Sequence, residues 1–314
     1  MATLQDSEIN DLVISTLQNL GRMKFTQIAT RLQRYEVMGK LLKKDKMLEG
    51  NPGYGIKRTI MVDHSNSARH VGLHAEDVLT PSDVLQSISV PWRHLTANYL
   101  YEVREIMENA GAERIVKLLD VRRADCMISI AETLEESFWT KPTDSTDETK
   151  PFGVPYWIVY NATTGFNGGN ATGFTAGPGG LDSSTYTRWK NYTANYTSVT
   201  QADLIKKLKT AARKTDFKSP VTESDFRKGN GEDCRLYTNE TVLAGIDDVG
   251  EAQNDNLGKD IFSLDGVLTF KRNPIIYVPK LDENAVQTDP VYLLNMAFMH
   301  VACMKGDFLR ESDP

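Results

Sequence analysis

The sequence of 314 residues predicts an α+β fold, and three observations lead to this prediction. Apolar and polar residues alternate over 56–62 and again over 88–92, which indicates two β-strands. From 112 to 139, apolar residues recur three, four or seven positions apart, which indicates a long one-sided helix. Shorter helix and strand patterns follow in mixed order after residue 200. No internal repeat is present, which excludes solenoids and propellers.

The N-terminal segment has the pattern of a basic arm. Apolar residues are spaced in a loosely helical way over 6–42, but they are too few to build a core. Between Arg22 and Lys46, eight lysines and arginines stand against two acidic residues, although the whole chain carries a net charge of −6. We expect this arm to pack on another part of the fold, and the net charge argues against bulk attraction to nucleic acid.

A long projecting β-hairpin is predicted next. Its two strands flank a polar middle of about twenty-five residues. A two-stranded hairpin cannot bury its own apolar face and is at best marginally stable alone, so a partner subunit is expected. The candidate interface residues are the apolar-face positions of the two strands: Ile56, Arg58, Ile60, Val62, Ile88, Val90 and Trp92.

The long helix is predicted to run for about 28 residues from Ala112 and to end at the polar loop KPTDSTDETKP. The run PYWIVYN (155–161) predicts a strand. A threonine-rich and glycine-rich stretch over 161–197 then contains four N-x-T triplets. It also lacks the Gly-Lys-Ser/Thr of a phosphate-binding loop, so no nucleotide cradle is predicted.

The compartment follows from the cysteines and the N-terminus. Cys126, Cys234 and Cys303 are odd in number and lie far apart, which argues against disulfides and zinc ribbons and predicts buried free thiols. The sequence shows no signal-peptide pattern and no run of eighteen apolar residues. We therefore expect a soluble protein of a reducing compartment without a membrane partner, in which the N-x-T triplets are not glycosylated.

Helix, strand and helix are predicted after residue 200. Thr200 and Asp203 form a capping box for a helix with an apolar stripe and a basic outer face. RLYT (235–238) predicts a strand, and Asn239 is placed to cap the following helix. Residues 267–282 predict paired strands hinged at Pro274, and 291–306 predict an apolar strand or a short buried segment.

No catalytic, cofactor or metal site is predicted. His70 and His74 would lie about 13 Å apart on a strand, too far for one metal ion. The neighbouring carboxylates of 135–136 and 247–248 point apart on a helix, which favours solvated faces. The stretch 251–266 has the composition of a calcium loop but not its spacing. We therefore predict that the protein is not an enzyme.

Several stretches, taken in order, resemble one protein family. SISVPWRHLTANYLYEVREIMENAGAERIVKLLDVRRADCMISIAETLEESFW (87–139) leads a strand into the long helix, and a polar loop and PFGVPYWI follow. TQADLIKKLKTAARKTDF (200–217) and DCRLYTNETVLAGIDDV (233–249) give helix, strand and helix. DGVLTFKRNPIIYVPKLD (265–282) places a proline before an apolar run. Together with the arm and the hairpin, these stretches resemble the major capsid proteins of tailed bacteriophages of the Hong Kong 97 type.

The resemblance implies a Hong Kong 97-type capsid fold in four parts. They are an N-terminal arm (1–50), an extended hairpin or E-loop (51–87), a peripheral domain (88–199) with a spine helix over about 100–139, and an axial domain that returns toward the peripheral domain (200–314). The threonine-rich stretch then becomes an exposed excursion or an extra strand pair of the peripheral domain.

The resemblance also implies a function. The chain is expected to self-assemble into hexamers and pentamers of an icosahedral shell around double-stranded DNA, which it contacts non-specifically. The other expected partners are separate scaffolding, portal and decoration proteins, and the expected location is the virion, assembled in the cytoplasm of a bacterial host. Two alternatives stay open: another virion protein, such as a decoration or tail-tube subunit, and a polar-loop hydrolase that uses Asp and Glu, for which Glu135 and Asp247 are the residues to substitute.

Overall fold

A computed structural model describes residues 41, 47–50, 53, 55–63, 70, 84–100, 102–108, 118–217, 233–252, 268–283, 287–306 and 310. The chain divides into two compact units, residues 1–35 with 94–135 and residues 36–93 with 136–314. Most of the predicted arm, most of the hairpin tip including His74, the first part of the predicted long helix and the calcium-like stretch from residue 253 lie outside the described residues. The predicted four-part division stays a prediction.

The second unit is built on a four-stranded mixed sheet. Its strands in spatial order are β7 (Thr269–Phe270), β8 (Asn273–Tyr277), β6 (Cys234–Thr238) and β9 (Val291–Asn295). β6 runs parallel to β8 and antiparallel to β9, so β6 is covered on both edges. Its residues Leu236, Tyr237 and Thr238 are fully buried, as expected for the centre of a sheet.

Each face of this sheet has its own apolar cluster. On one face, α4 (Lys206–Lys214) and α5 (Glu240–Ala252) pack on Leu236 and Ile275. On the other face, Tyr237 and Ile276 pack against Trp139. The side chains of consecutive strand residues point to opposite faces, which is why neighbouring residues of β6 and β8 serve different clusters.

The long helix α2 is described from Leu118 to Trp139. A short helix α1 (Val103–Glu108) precedes it, and Nη1 of Arg122 donates a hydrogen bond to the carbonyl of Leu100 at 2.8 Å. At the C-terminal end of α2, Trp139 is only 4% exposed and lies in one cluster with Leu41. Leu41 belongs to the N-terminal pattern that we expected to pack on another part of the fold. At this position the expectation is met, because Leu41 packs in the cluster of Trp139 and Tyr237.

The predicted caps of Thr200 and Asn239 are confirmed, but the capping box is not complete, because the amide of Thr200 donates to the carbonyl of Ser198 and not to Asp203. The hydroxyl of Thr200 accepts a hydrogen bond from the amide of Asp203 at 3.3 Å, and a single π-helical turn (Gln201–Ile205) leads into α4. The side chain of Asn239 accepts from the amide of Val242 at 3.2 Å at the start of α5.

The carboxylate of Asp203 stabilises the chain before α4. It pairs with Lys207 at 2.5 Å and accepts hydrogen bonds from the amides of Thr197 and Ser198. These contacts hold the pKa of Asp203 well below its usual value, and the contact with Lys207 has the largest effect. Asp203 therefore stabilises the fold above its unfolded-state pKa of about 3.9, and the contribution is lost as the pH falls through the lower folded-state value.

We expect Asp203→Asn to lower the thermal midpoint at pH 7 and to have a shrinking effect below about pH 4. Thermal melts of both proteins over this pH range check the prediction. Glu136→Gln is the control, because Glu136 is exposed and makes no described hydrogen bond. An Asp203→Asn effect of the same size at every pH would contradict the assigned role of the carboxylate.

Three predicted elements differ in the structure. The apolar run after Gly153 begins as a short helix, α3 (Val154–Trp157), because Pro155 lies in its first turn, where its fixed φ suits a helix. Residues 291–306 form two strands, β9 and β10 (Val301–Met304). β10 pairs in parallel with β1 (Met47–Gly50) instead of extending the central sheet.

The third difference is the hinge between β7 and β8. Pro274 is not the hinge, since it lies within β8 opposite Thr269. The chain turns at Lys271 and Arg272, whose φ angles are 49° and 65°. Two consecutive left-handed residues are the pattern of a type I′ turn, in which Asn-Gly is preferred.

Because a side chain in the left-handed region is strained, Arg272→Gly should raise the free energy of unfolding by about 0.5–1 kcal/mol. Chemical denaturation measures the change. Arg272→Ala is the matched control, since it removes the same charge but keeps the strain. An equal gain from both variants would assign the effect to charge and not to backbone conformation.

Candidate subunit interface

The predicted hairpin is present as strands β2 (Gly55–Met61) and β3 (Leu85–Pro91). They pair antiparallel, with Ile56 opposite Val90 and Arg58 opposite Ile88. Residues opposite each other share a face, so the alternation seen in the sequence becomes two distinct faces. We call the face that carries the candidate interface residues the inner face and the other the outer face.

The inner face is partly covered within the chain itself. Val62 is 6% exposed, whereas Arg58 is exposed. The remaining candidates are half-buried: Ile56, Ile60, Ile88, Val90 and Trp92. Their role at a subunit interface stays a prediction, and the cover over Val62 shows that a neighbouring subunit is not needed for every position.

Ile88 packs directly on the backbone of Gly179. A Cβ placed on Gly179 would lie 3.0 Å from Cβ and Cγ2 of Ile88, and φ there is +67°. Both the close approach and the left-handed backbone require glycine. The amide of Gly179 donates a hydrogen bond to the hydroxyl of Tyr156 at 2.9 Å, and burial raises the pKa of Tyr156. This hydroxyl therefore holds the loop in position under the hairpin.

The hairpin makes a second contact with the threonine-rich stretch through an ion pair and beside an indole ring. Asp63, just after β2, pairs with Arg188 at 3.3 Å. Trp189 and Val62 line an open hollow beside this pair. The indole N–H of Trp189 donates to the carbonyl of Pro178 at 3.2 Å, which connects the two contact points of the hairpin.

The threonine-rich stretch thus forms a platform for the hairpin. It contains the predicted extra strand pair, β4 (Gly165–Gly168) with β5 (Asn191–Thr193). The side chain of Asn191 bonds both the amide and the carbonyl of Val159 at 3.0 Å. The side-chain nitrogen Nδ2 of Asn170 donates a hydrogen bond to the carboxylate of Asp182 at 2.8 Å. At least two of the N-x-T asparagines therefore have their side chains engaged inside the fold.

The outer face carries an apolar pair that the sequence did not single out. Met61 and Leu85 lie opposite each other and are 64% and 60% exposed. The alternation placed Met61 among polar residues, so it was not included in the candidate set. Only the register, which sets it against Leu85, shows that the two form one patch.

Searches of protein-family models and of curated proteins gave no match. Among solved structures, the chain is similar to one from the capsid asymmetric unit of cyanophage A-1(L). The TM-score is 0.61 and the sequence identity is 14%, and the match covers 93% of this chain and 79% of that chain. The chain has a phage capsid fold.

The capsid structure of cyanophage P-SCSP1u also matches, with a TM-score of 0.40 and 12% identity over 82% of this chain and 68% of that chain. The capsid fold confirms the resemblance to phage capsid proteins and the α+β class that the sequence indicates. The finer subdivision of the Hong Kong 97 type stays a prediction.

Within this capsid fold, the carboxylates considered for catalysis are placed separately. Glu136, Asp247 and Asp248 are exposed, as predicted. Glu135 is only 3% exposed, so the prediction of a solvated face is wrong for this residue. The reason is its position one helical turn before the buried Trp139, on the same side of α2.

The cysteines and the possible metal ligands do not form a site in the described part of the chain either. All three cysteines are free, but only Cys234 is buried, whereas Cys126 and Cys303 are half-buried, so the predicted burial is wrong for those two. In the part of the chain that the structure describes, no three His, Cys, Asp or Glu side chains are grouped so that they could hold a metal ion. None of its described helices has both the length and the hydropathy to cross a bilayer.

Proposed function

We propose that this chain is the major capsid protein of a tailed double-stranded DNA bacteriophage of the Hong Kong 97 type. On this proposal, copies assemble into hexamers and pentamers that close an icosahedral shell around the genome. The observation that carries the proposal is the fold similarity to a chain of a phage capsid asymmetric unit over 93% of the length. The protein acts mechanically in this role and has no catalytic activity.

The hairpin supplies the physical argument for assembly. Its outer face exposes Met61 and Leu85, and five of its seven inner-face candidates are only partly covered. Burial of apolar surface contributes about 25 cal/mol per Å², so a contact of several hundred Å² offsets part of the freedom lost on association. A neighbouring subunit completes both faces, and repeated head-to-tail contacts of this kind close into rings.

The proposal includes the four parts implied by the resemblance. Residues 1–50 form the arm, 51–87 the E-loop, 88–199 the peripheral domain with the spine helix, and 200–314 the axial domain. The protein resides in the virion after assembly in the bacterial cytoplasm. Its partners are further copies of itself, scaffolding, portal and decoration proteins, and the packaged DNA.

Expression of the full chain, followed by sedimentation and negative-stain electron microscopy, tests the function. The expected result is closed shells or free hexamers and pentamers. Tubes would favour a tail-tube subunit, and isolated trimers would favour a decoration protein. A chain that stays monomeric both alone and with a co-expressed scaffold would contradict the proposal.

We expect Leu85→Asp to abolish shell formation without unfolding the subunit. Leu85 is 60% exposed, so the subunit loses little on substitution, whereas a carboxylate buried at an interface is strongly unfavourable. Sedimentation and circular dichroism measure assembly and folding separately. Leu85→Met is the matched control and should assemble normally. Normal shells from Leu85→Asp would remove the outer face from the interface.

A further inference from the structure

The outward side of α4 is a basic face. Lys206, Lys209 and Arg213 are exposed and recur at helical spacing. Leu208 and Ala212 are buried on the opposite side of the helix. The three cations therefore lie on one surface that points away from the sheet.

The outward side of α5 is an acidic face. Glu240, Asp247 and Asp248 are exposed, and Asp247 follows Glu240 by two helical turns. Val242 and Ile246 are buried on the opposite side. The acidic face thus carries three carboxylates, the same number as the cations of the basic face.

The two helices are neighbours on the same face of the sheet. Both pack into the cluster around Leu236 and Ile275. Val199, which directly precedes the capped start of the first helix, touches α5: a Cβ on Gly245 would lie 2.7 Å from Cγ1 of Val199. The basic and the acidic surface therefore lie on the same side of the sheet.

The charges of these two faces do not neutralise each other within the chain. Among the described residues, none of the six forms an ion pair, and the guanidinium of Arg213 bonds only the carbonyl of Lys209, at 3.2 Å. The nearby Lys207 is already paired with Asp203. With respect to the described part of the chain, both faces are therefore open to a partner.

We propose that the basic face of one copy docks on the acidic face of α5 in the next copy. A two-fold contact through either face alone would set like charges against each other. Opposite charges pair in a head-to-tail contact and also in a two-fold contact through both faces, and the rings of the proposed function require the head-to-tail contact. The inference rests on the proposed function, because it assigns these two faces to the contact between neighbouring subunits of a hexamer or pentamer.

A second copy fits these observations better than nucleic acid does. A phosphate backbone lying on the basic face would pass the carboxylates of the acidic face, which repel it. Head-to-tail docking instead pairs both faces with opposite charge, the basic face with the next copy and the acidic face with the preceding copy. The contact should be sensitive to salt, because the screening length falls from about 8 Å at 0.15 M to about 3 Å at 1 M ionic strength.

The test uses two double variants of the full chain. Lys209→Glu with Arg213→Glu makes both faces acidic, and Asp247→Lys with Asp248→Lys makes both basic. We expect each double variant alone to lose shell and ring formation while its circular dichroism spectrum is unchanged. The quadruple variant reverses both faces and should regain assembly. Lys271→Glu with Arg272→Glu changes the net charge as much as the acidic variant and should assemble normally.

Mixing the two double variants gives the sharpest result. The acidic α4 of one variant complements the basic α5 of the other, and the reverse contact is complementary too. Rings must then alternate the two variants, so six-membered rings close and five-membered rings do not. Electron microscopy of the mixture should show hexamers without closed shells.

Three outcomes are separated by the same samples. If the unaltered protein forms shells and both double variants do so as well, the inference fails and the capsid function stands. If only the acidic variant loses binding to double-stranded DNA, measured by fluorescence anisotropy, and still assembles, the basic face binds nucleic acid and the inference is overturned. If the unaltered protein forms no ring or shell, the proposed function itself fails.

Discussion

Trp139→Ala is expected to lower the free energy of unfolding by about 3–5 kcal/mol. Trp139 is 4% exposed, and its ring lies 5.4 Å from that of Tyr237 and 5.6 Å from that of Tyr292. Truncation removes both aromatic contacts and leaves a cavity between the end of α2 and the central sheet. Equilibrium denaturation, followed by tryptophan fluorescence and circular dichroism, measures the loss.

Two variants separate a cavity effect from a general one. Trp139→Phe keeps a ring at the same place and should lose roughly half as much. Phe298→Ala removes a ring that is 76% exposed, and should change stability by less than about 0.5 kcal/mol. If Trp139→Ala cost no more than Phe298→Ala, the anchoring of α2 in the core cluster would be disproved.

The helix, strand and helix over residues 200–249 agree best with the prediction, because their signals are local. Thr200 and Asn239 mark helix starts through hydrogen bonds to amides only three residues away. The apolar stripe of α4 and the strand RLYT follow within one or two turns of these caps. A sequence window contains everything that such elements need, and the structure confirms them.

Elements decided by competition between similar conformations were not predictable. The apolar run at Val154 is compatible with a strand or a helix, and Pro155 in the first turn favours the helix. The turn at Lys271 and Arg272 uses left-handed backbone without glycine, so no residue signals it.

The candidate interface was predictable in pattern but not in surroundings. Alternating apolar and polar residues predict the inner face of the hairpin, and the observed pairing of Arg58 with Ile88 agrees with this prediction. The contact of Ile88 with Gly179 joins residues about ninety positions apart, and no local pattern contains it. Glu135 was misassigned for a different reason, since the helical spacing to Trp139 was present in the sequence and indicates the buried side.

Gly153→Ala is the second substitution with a large expected effect. Gly153 directly precedes α3 and lies against the last carbonyls of α2. A Cβ at this position would come within 2.1 Å of the carbonyl oxygen of Thr140 and 2.4 Å of that of Ser137. Both atoms belong to the backbone and cannot rotate away, so the end of α2 must separate from the chain that follows. We expect a loss of about 3 kcal/mol or more in the free energy of unfolding.

Gly250→Ala is the matched control and should change stability in the opposite direction. Gly250 lies inside α5, and a Cβ there would meet no atom within 4 Å. Alanine in a helix interior is favoured over glycine by about 1 kcal/mol, so this variant should unfold at a higher denaturant concentration. If Gly153→Ala were as stable as Gly250→Ala, the backbone of residue 153 would not be packed on the end of α2. Trp139 would then be held in the core by its ring contacts alone.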